Sequence, residues 1–380
     1  MLKYTVWLHL CMGAGNKRSI EAINHYKNAK NIFECNNRES SKIFTKKELE
    51  RMKNIPLGDA IRVIADCKEN GIDIICYGDE KYPYCLSVIE DAPLVLFVKG
   101  ELPNFDSTPS ICIVGPRKVS EFGRKAAYSL AFRLAGAGFT IVSGGAIGCD
   151  TYAHAGALKA EGKTVLVMGC GILSDYLPEN KELRENVIKK GCLISEYPPR
   201  ESASRFTFPV RNRIMSALSL GTVVVEAGEK SGALITARHS YEQGRDVFVI
   251  PAAPNRREYA GSNALLRDGA KPLLDVSDIF NEYILRFPDK INIENAYKKP
   301  IITPKAPEKT KNNEKIIKKV NISLSKEAEI VYNYLDKQIF LPEEILNTGL
   351  TPQQLLSALT ELEMEFLIEA MPGGRYKLLQ

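Results

Sequence analysis

The chain is poor in the residues that metal and disulfide chemistry require. Its four histidines stand at 9, 25, 154 and 239, and no two of its nine cysteines form a Cys-x-x-Cys pair. No zinc spacing exists among them, so no metal is expected. An odd, scattered cysteine count argues against a disulfide framework. The GxxxxGK[ST] and GxGxxG phosphate fingerprints are missing, as is the GxSxG nucleophile elbow. His154 and His239 have no evident Ser/Asp triad order, and His154 reads as a satisfied structural histidine. No apolar run approaches the roughly 20 residues that span a bilayer. Met1 to Met12 is apolar but carries a lysine and no small-residue cleavage site. The expectation is a cytoplasmic chain without membrane contact, cofactor or catalytic residue.

What is present fits a globular protein of two or three domains, with 44% apolar and 26% charged residues in 380. The net charge of +5 is unevenly spread. Residues 298–319 hold eight lysines against Glu308 and Glu314, so the remainder is close to neutral. Any nucleic-acid site must therefore be local.

Residues 111–280 alternate short β-like runs with amphipathic stretches of helical length. The runs are Ile111–Val114, Thr140–Ser143, Thr164–Met168, Cys192–Ser195, Thr222–Val225 and Val247–Ile250. Between the first two, Val119–Gly138 brings Phe122, Ala126, Leu130 and Leu134 to near-helical spacing. Strands apolar on both faces predict a parallel sheet covered on both sides, a doubly wound α/β domain with its ligand at the strands' carboxyl ends.

Residues 1–70 read as a helical module of SAM or helix-hairpin-helix type, broken at Gly13-Ala14-Gly15. Such a turn can hold a phosphate on its N–H groups, although an ordinary helical hairpin is the preferred reading. Residues 71–288 are the α/β core, with 71–110 a β-containing lead-in. Residues 289–321, rich in Lys, Pro and Asn, read as a flexible basic linker. Residues 322–380 read as a final winged helix. Leu355, Leu359, Leu362 and Phe366 mark one helix face, Thr351 caps it and Pro352 opens it, and a wing follows around Gly373-Gly374. That helix has no Lys or Arg and carries Glu361, Glu363 and Glu365, which predicts a structural or protein-contact role instead of DNA reading.

The most biased segment is Arg205-Phe-Thr-Phe-Pro-Val-Arg-Asn-Arg213. Guanidinium groups grip phosphates and aromatic faces accept stacked bases. With Pro209 at the first helical position, Arg211 and Arg213 would ride the opening turn of a helix, where free N–H groups favour an anion. Four strand-end loops gather glycines and polar groups. They are Val114-Gly115-Pro116-Arg117, Ser143–Asp150, Gly169–Asn180 and Glu226–Thr236. The carboxylates Asp150, Asp175 and Glu226 can orient these loops through N–H contacts instead of doing acid–base work.

In combination these loops resemble the DprA/Smf family of DNA-processing proteins over nearly the whole chain. The resemblance rests on Gly148-x-Asp150-x-x-Ala153-His154, Tyr176-x-Pro178-x-x-Asn180, Ser195-Glu196-Tyr197-Pro198, Phe208-Pro209-x-Arg211-Asn212-Arg213 and Ser231–Ala237. It implies a Rossmann-like core that binds single-stranded DNA, forms a homodimer and loads the RecA recombinase in natural transformation, with no established catalysis. By that resemblance Arg117, Arg205, Phe208, Arg211, Asn212 and Arg213 would contact DNA. Gly115, Ser143, Gly144, Ser231 and Gly232 would supply close backbone contacts.

The chain departs from the family pattern in places. Ile147 stands where a cation is usual, Cys149 where Ile is usual, and Pro116 where Ser is usual, which deletes an N–H. Ile250-Pro251-Ala252-Ala253 replaces Val-Pro-Gly. These departures predict weaker, not absent, DNA binding. A nucleotide-processing enzyme of the phosphoribohydrolase type is the alternative on a related core, but its Pro-Gly-Gly-x-Gly-Thr-x-x-Glu pattern does not occur at Glu226–Gly232.

Overall fold

The computed structural model describes residues 1–35, 42–297, 325–334, 339–340, 350–364, 367–371 and 375–378. The chain divides into two compact units, residues 1–302 and 303–380. The first opens with helices α1 (Leu2–Met12), α2 (Arg18–Tyr26), α3 (Ala29–Glu34), α4 (Lys46–Asn54) and α5 (Leu57–Glu69). Helix α1 is apolar nearly all round and is buried accordingly, through Val6, Trp7, Leu8, Cys11 and Met12. Trp7 Nε1 donates to the Ile55 carbonyl at 2.9 Å. Asn28 caps α3, and Thr45 and Glu48 form a reciprocal capping box on α4.

Next come β1 (Asp73–Cys76), α6 (Tyr84–Ser87), β2 (Val95–Gly100), β3 (Ser110–Val114), α7 (Glu121–Gly136), β4 (Thr140–Ser143), α8 (Cys149–Lys159) and β5 (Thr164–Met168). The unit continues with α9 (Lys181–Lys190), β6 (Cys192–Ser195), α10 (Thr207–Ala217), β7 (Gly221–Val224), α11 (Ala233–Glu242) and β8 (Asp246–Val249). It ends with α12 (Ala260–Arg267), β9 (Lys271–Pro272), α13 (Ser277–Tyr283) and α14 (Ile293–Ala296). Among the described residues the sheet has nine strands in the order β1-β2-β6-β5-β4-β3-β7-β8-β9. Only β2 runs against its neighbours; the pairings from β6 to β9 are parallel.

The chain steps outward from β3 through β4, β5 and β6, then returns to β7 on the other side of β3. This is the doubly wound arrangement predicted, and its switch point lies between β3 and β7, where Val114 pairs with Val224. Alternate residues of β3 serve opposite faces. Cys112 and Val114 pack with Ile214, Met215 and Ala233, while Ile111 and Ile113 pack with Leu130, Leu134 and Phe280.

Three expectations change. The helical module shares its core with the sheet, since Trp7 and Ile32 cluster with Phe97, Leu166 and Leu193. Residue 70 thus ends a layer, not an independent core. Phe122, expected on the buried stripe of α7, is 53% exposed. The helix instead presents Ala127, Leu130, Ala131 and Leu134 inward, and the two alanines let α7 approach its neighbours closely. Residues 289–297, expected within the linker, belong to the first unit, because Ile291 and Ala296 are buried against the core. The rest of that linker, 298–321, lies outside the described residues.

The second unit contains α15 (Lys326–Tyr334), β10 (Ile339–Phe340), α16 (Pro352–Met364), β11 (Ile368–Met371) and β12 (Arg375–Leu378). The strands form an antiparallel sheet in the order β10-β12-β11. Leu355, Leu359 and Leu362 are buried as expected, with Ala328, Val331 and Ile368. Phe366 and Gly373-Gly374 lie outside the described residues. Thr351 and Gln354 cap α16 reciprocally. Glu361, part of that helix's acidity, accepts the N–H and hydroxyl of Ser325 at 2.7 and 2.6 Å and so holds the residue whose hydroxyl caps α15 through the Ala328 N–H. Helix, helix and wing make this unit a winged helix.

Glu48 gives the helical module a pH signature. Burial works to raise its pKa, but hydrogen bonds from Arg18, the Thr45 N–H and Asn16 outweigh it and hold the carboxyl at about 2. A depressed folded value contributes stability that is complete above the ordinary carboxylate range and is lost as pH falls from about 4.5 toward 2. Urea unfolding followed by the fluorescence of Trp7, the single tryptophan, should show stability falling through this window. Glu48→Gln should flatten that fall, and parallel curves would assign the titration to another group.

Candidate nucleic-acid interface

A crevice of about 590 Å³ opens at the carboxyl ends of β3 and β7. The loop after β3 supplies Gly115, Pro116 and Arg117, the turn before α8 supplies Ala146, and the first turn of α8 supplies Asp150. Helix α10 contributes Phe208, Arg211, Asn212 and Met215. The loop after β7 and the start of α11 contribute Gly228, Lys230, Ser231, Gly232, Ala233 and Thr236. The positive end of α11 therefore faces the crevice. Seven predicted site residues meet here: Gly115, Arg117, Phe208, Arg211, Asn212, Ser231 and Gly232.

Helix α10 begins at Thr207, two residues before Pro209, which sits within the first turn where its missing N–H costs nothing. Arg211 and Arg213 consequently lie in the second turn, not the opening one, and both are buried. The Arg211 guanidinium donates to the carbonyls of Gly144, at 2.8 Å, and Val167. Its Nε donates to the Asn212 side-chain oxygen at 3.2 Å. A Cβ on Gly144 would collide with this guanidinium. The glycine makes room for the arginine, not for a phosphate. Ser143, also expected to face DNA, is fully buried and donates its hydroxyl to the Ile113 carbonyl at 2.7 Å.

Arg213 is removed from the set of phosphate contacts. It is 2% exposed, and its Nη2 donates to both oxygens of Glu196 at 2.8 and 2.7 Å. Its Nε lies 3.1 Å from Asp91. Glu196 also accepts the Gly15 N–H at 3.0 Å, and its carbonyl meets His9 Nε2 at 2.8 Å. The Gly13–Gly15 turn therefore donates to a carboxylate of the core, not to a phosphate. Gly15 has φ +69°, and a Cβ there would stand 2.6 Å from Val210.

The accessible groups lie on the loops. Arg117 and Lys230 are exposed, and Arg117 Cζ sits 5.6 Å from the Phe208 ring centroid. Tyr176 lies against the same ring at 5.0 Å between centroids. A Cβ on Gly232 would meet open space, so this helix start is clear for close approach. Lys230 was missed as a site residue, although a cation between Gly228 and Gly232 in a strand-end loop is a visible signal. Arg205 is exposed but does not line the crevice; its guanidinium lies 4.7 Å from the Phe206 ring. Ile147 is 46% exposed beside Ala146.

The nearby titratable groups are already engaged. Burial pushes Asp150 above the ordinary carboxylate range, opposed by Arg211 and by the Ala146 N–H it accepts at 3.3 Å. Burial likewise lowers the pKa of Arg211, with Asp150 acting to raise it. Glu226 accepts the N–H of Ser120 at 3.0 Å and its hydroxyl, which fixes the start of α7. Burial lowers His154 to about 3, so it is neutral, with Nδ1 2.8 Å from the Thr164 hydroxyl.

Arg213→Ala should destabilise the first unit by about 3–5 kcal/mol by leaving Glu196 buried and unpaired. Replacing Arg213 and Glu196 together by Met should recover much of that loss in urea unfolding. A cost for the single variant within the scatter of surface substitutions would mean that water reaches the pair.

The geometry can be set beside known proteins. The family model described as DNA recombination-mediator protein A matches residues 73–284, and that of the DprA winged helix domain matches 321–374. DNA processing protein DprA of Bacillus subtilis (strain 168) is 39% identical over 221 residues, which cover 58% of this chain and 74% of that protein. The X-ray structure of DNA processing protein A from Streptococcus pneumoniae superposes with a TM-score of 0.66 at 31% identity. That match covers 74% of this chain and 98% of the other. A Helicobacter pylori DNA processing protein A structure, described for its single-stranded DNA binding mode, gives 0.51 at 27% identity, covering 57% and 96%. With core and winged helix both matched, the chain belongs to the DprA/Smf family of DNA-processing proteins.

Proposed function

We propose that the crevice between β3 and β7 binds single-stranded DNA without catalysing a reaction. The observation that carries this reading is the placement of exposed Arg117 and Lys230 around a ring, Phe208, and an open helix start at Gly232. Cations, a stacking surface and close approach to the backbone at Gly232 suit a strand with unstacked bases. Asp150 and Glu226 hold loops through N–H and hydroxyl donors, which favours binding over acid–base work. The recombination-mediator family and the single-stranded DNA named for the H. pylori relative support the same reading.

The bound strand is protected and passed to the RecA recombinase during natural transformation, by a homodimer in the cytoplasm. No helix among the described residues is long and apolar enough to cross a membrane. Faster RecA filament nucleation on a strand coated with this protein is the expected sign of handover.

Binding is measured by fluorescence anisotropy of oligo-dT across a salt series. Two exposed cations give a slope of log affinity on log salt near −1.4, at about −0.7 per phosphate. Arg117→Ala and Lys230→Ala should each make it shallower by about 0.7, and Ile147→Lys should steepen it by a similar step. Gly232→Val should keep the melting temperature and weaken binding. Unchanged affinity in the Arg117→Ala, Lys230→Ala double variant would overturn the assignment.

A further inference from the structure

The helical module carries a charge that the crevice does not use. Residues 1–70 contain thirteen Lys and Arg against eight Asp and Glu, whereas residues 71–297 contain 26 against 27. Lys27, Lys42, Lys46 and Lys47 are exposed, and none pairs with a carboxylate among the described residues. One ring contact links the segments that carry them. The rings of Tyr26 and Phe44 stack with centroids 6.1 Å apart, which joins the end of α2 to the segment leading into α4. His25, exposed, lies edge-on to Tyr26 at 4.8 Å.

Two of these lysines break a local rule. Lys46 and Lys47 are the first two residues of α4, where the helix dipole is positive and carboxylates are favoured. Glu48 offsets this within the capping box, but its carboxylate is already shared by Arg18, Asn16 and Thr45. Departures from local preference that are only partly compensated mark candidate functional positions. A polyanion laid across this face would supply the compensation.

We propose that Lys27, Lys42, Lys46 and Lys47, with His25 and Tyr26, form a second contact for the phosphate backbone of single-stranded DNA. This rests on the crevice reading and extends it: one strand touches both surfaces of a single compact unit. The module docks on α10, the helix that brings Phe208 to the crevice, through the Gly15, Glu196 and Arg213 contacts. An exposed imidazole and a half-buried phenol ring suit unstacked bases, whereas a duplex hides its base faces.

The test compares oligo-dT of about 6 nucleotides, short enough for one surface, with about 30 nucleotides, in the full chain. The triple variant Lys42→Glu, Lys46→Glu, Lys47→Glu should bind the short strand as the parent does. For the long strand its salt slope should be shallower by about 2, with at least tenfold weaker binding at low salt. Acidic residues at the start of α4 favour the helix, so unfolding cannot account for such a loss. A control reversing Lys53, Arg62 and Lys68 changes net charge equally and should leave the long strand's slope largely intact. Parent-like binding of the long strand by the first triple, or an equal loss in the control, would overturn the proposal. Should the parent bind only the long strand, and the triple abolish that binding, the crevice reading falls and the lysine face stands. Binding of neither length would end both.

Discussion

Helix α10 has to serve two surfaces at once, and the buried pair of Arg213 and Glu196 fixes how it does so. Arg213 and Glu196 are almost fully enclosed, and Asp91 and the Gly15 N–H complete the network. Enclosing two charges costs several kcal/mol each before their attraction is counted, so the pair is a poor source of net stability. It specifies geometry instead. By tying α10 to the end of β6 and to the helical module, it sets the rotation at which Phe208, Arg211, Asn212 and Met215 face the crevice. The module is thus part of the scaffold that orients the site, as the shared apolar cluster of Trp7, Phe97 and Leu166 also shows.

The same logic separates cations that hold the fold from cations that face solvent. Arg211 donates to main-chain carbonyls at the ends of β4 and β5, where it pins two strand-end loops. A phosphate would have to compete with those bonds in a site where an unmade one is costly. Arg117 and Lys230, on loops and in contact with water, carry no such obligation. Cations for an incoming polyanion are more useful on adaptable loops above a rigid sheet than on a packed helix.

Much of this was legible in the sequence, for identifiable reasons. Thr140–Ser143, Thr164–Met168 and Cys192–Ser195 are β-branched or apolar runs bounded by turn residues, and the strands occupy those residues. Ile111–Val114, Thr222–Val225 and Val247–Ile250 are each displaced by a single residue at one or both ends. Their alternation with helical stretches prescribed the parallel sheet, and hence the switch point at which the crevice opens. The roles of the arginines were less legible. Arg211 and Arg213 are two residues apart and chemically identical; what distinguishes them is the pair of carbonyls under one and the carboxylate opposite the other. Glu196 lies 17 residues away and Asp91 far earlier, brought close only by the sheet order. Phe122 shows the same limit: it shares the helical spacing of Leu130 and Leu134, but the inward stripe of α7 reaches Gly123 and Ala127 and leaves Phe122 in solvent.

The charge distribution bears on how a near-neutral core handles a polyanion. Residues 71–297 carry 26 cations and 27 carboxylates, so no diffuse attraction draws a strand to the crevice. Two exposed cations and a stacking ring give a modest local grip, one that salt weakens only gradually. Such a grip becomes strong when the same strand meets a second surface on the same body, because the second encounter is intramolecular. It stays weak for strands too short to reach both. A protein organised this way would favour long single strands over fragments without reading sequence, which is the selectivity that handling a recombination substrate demands.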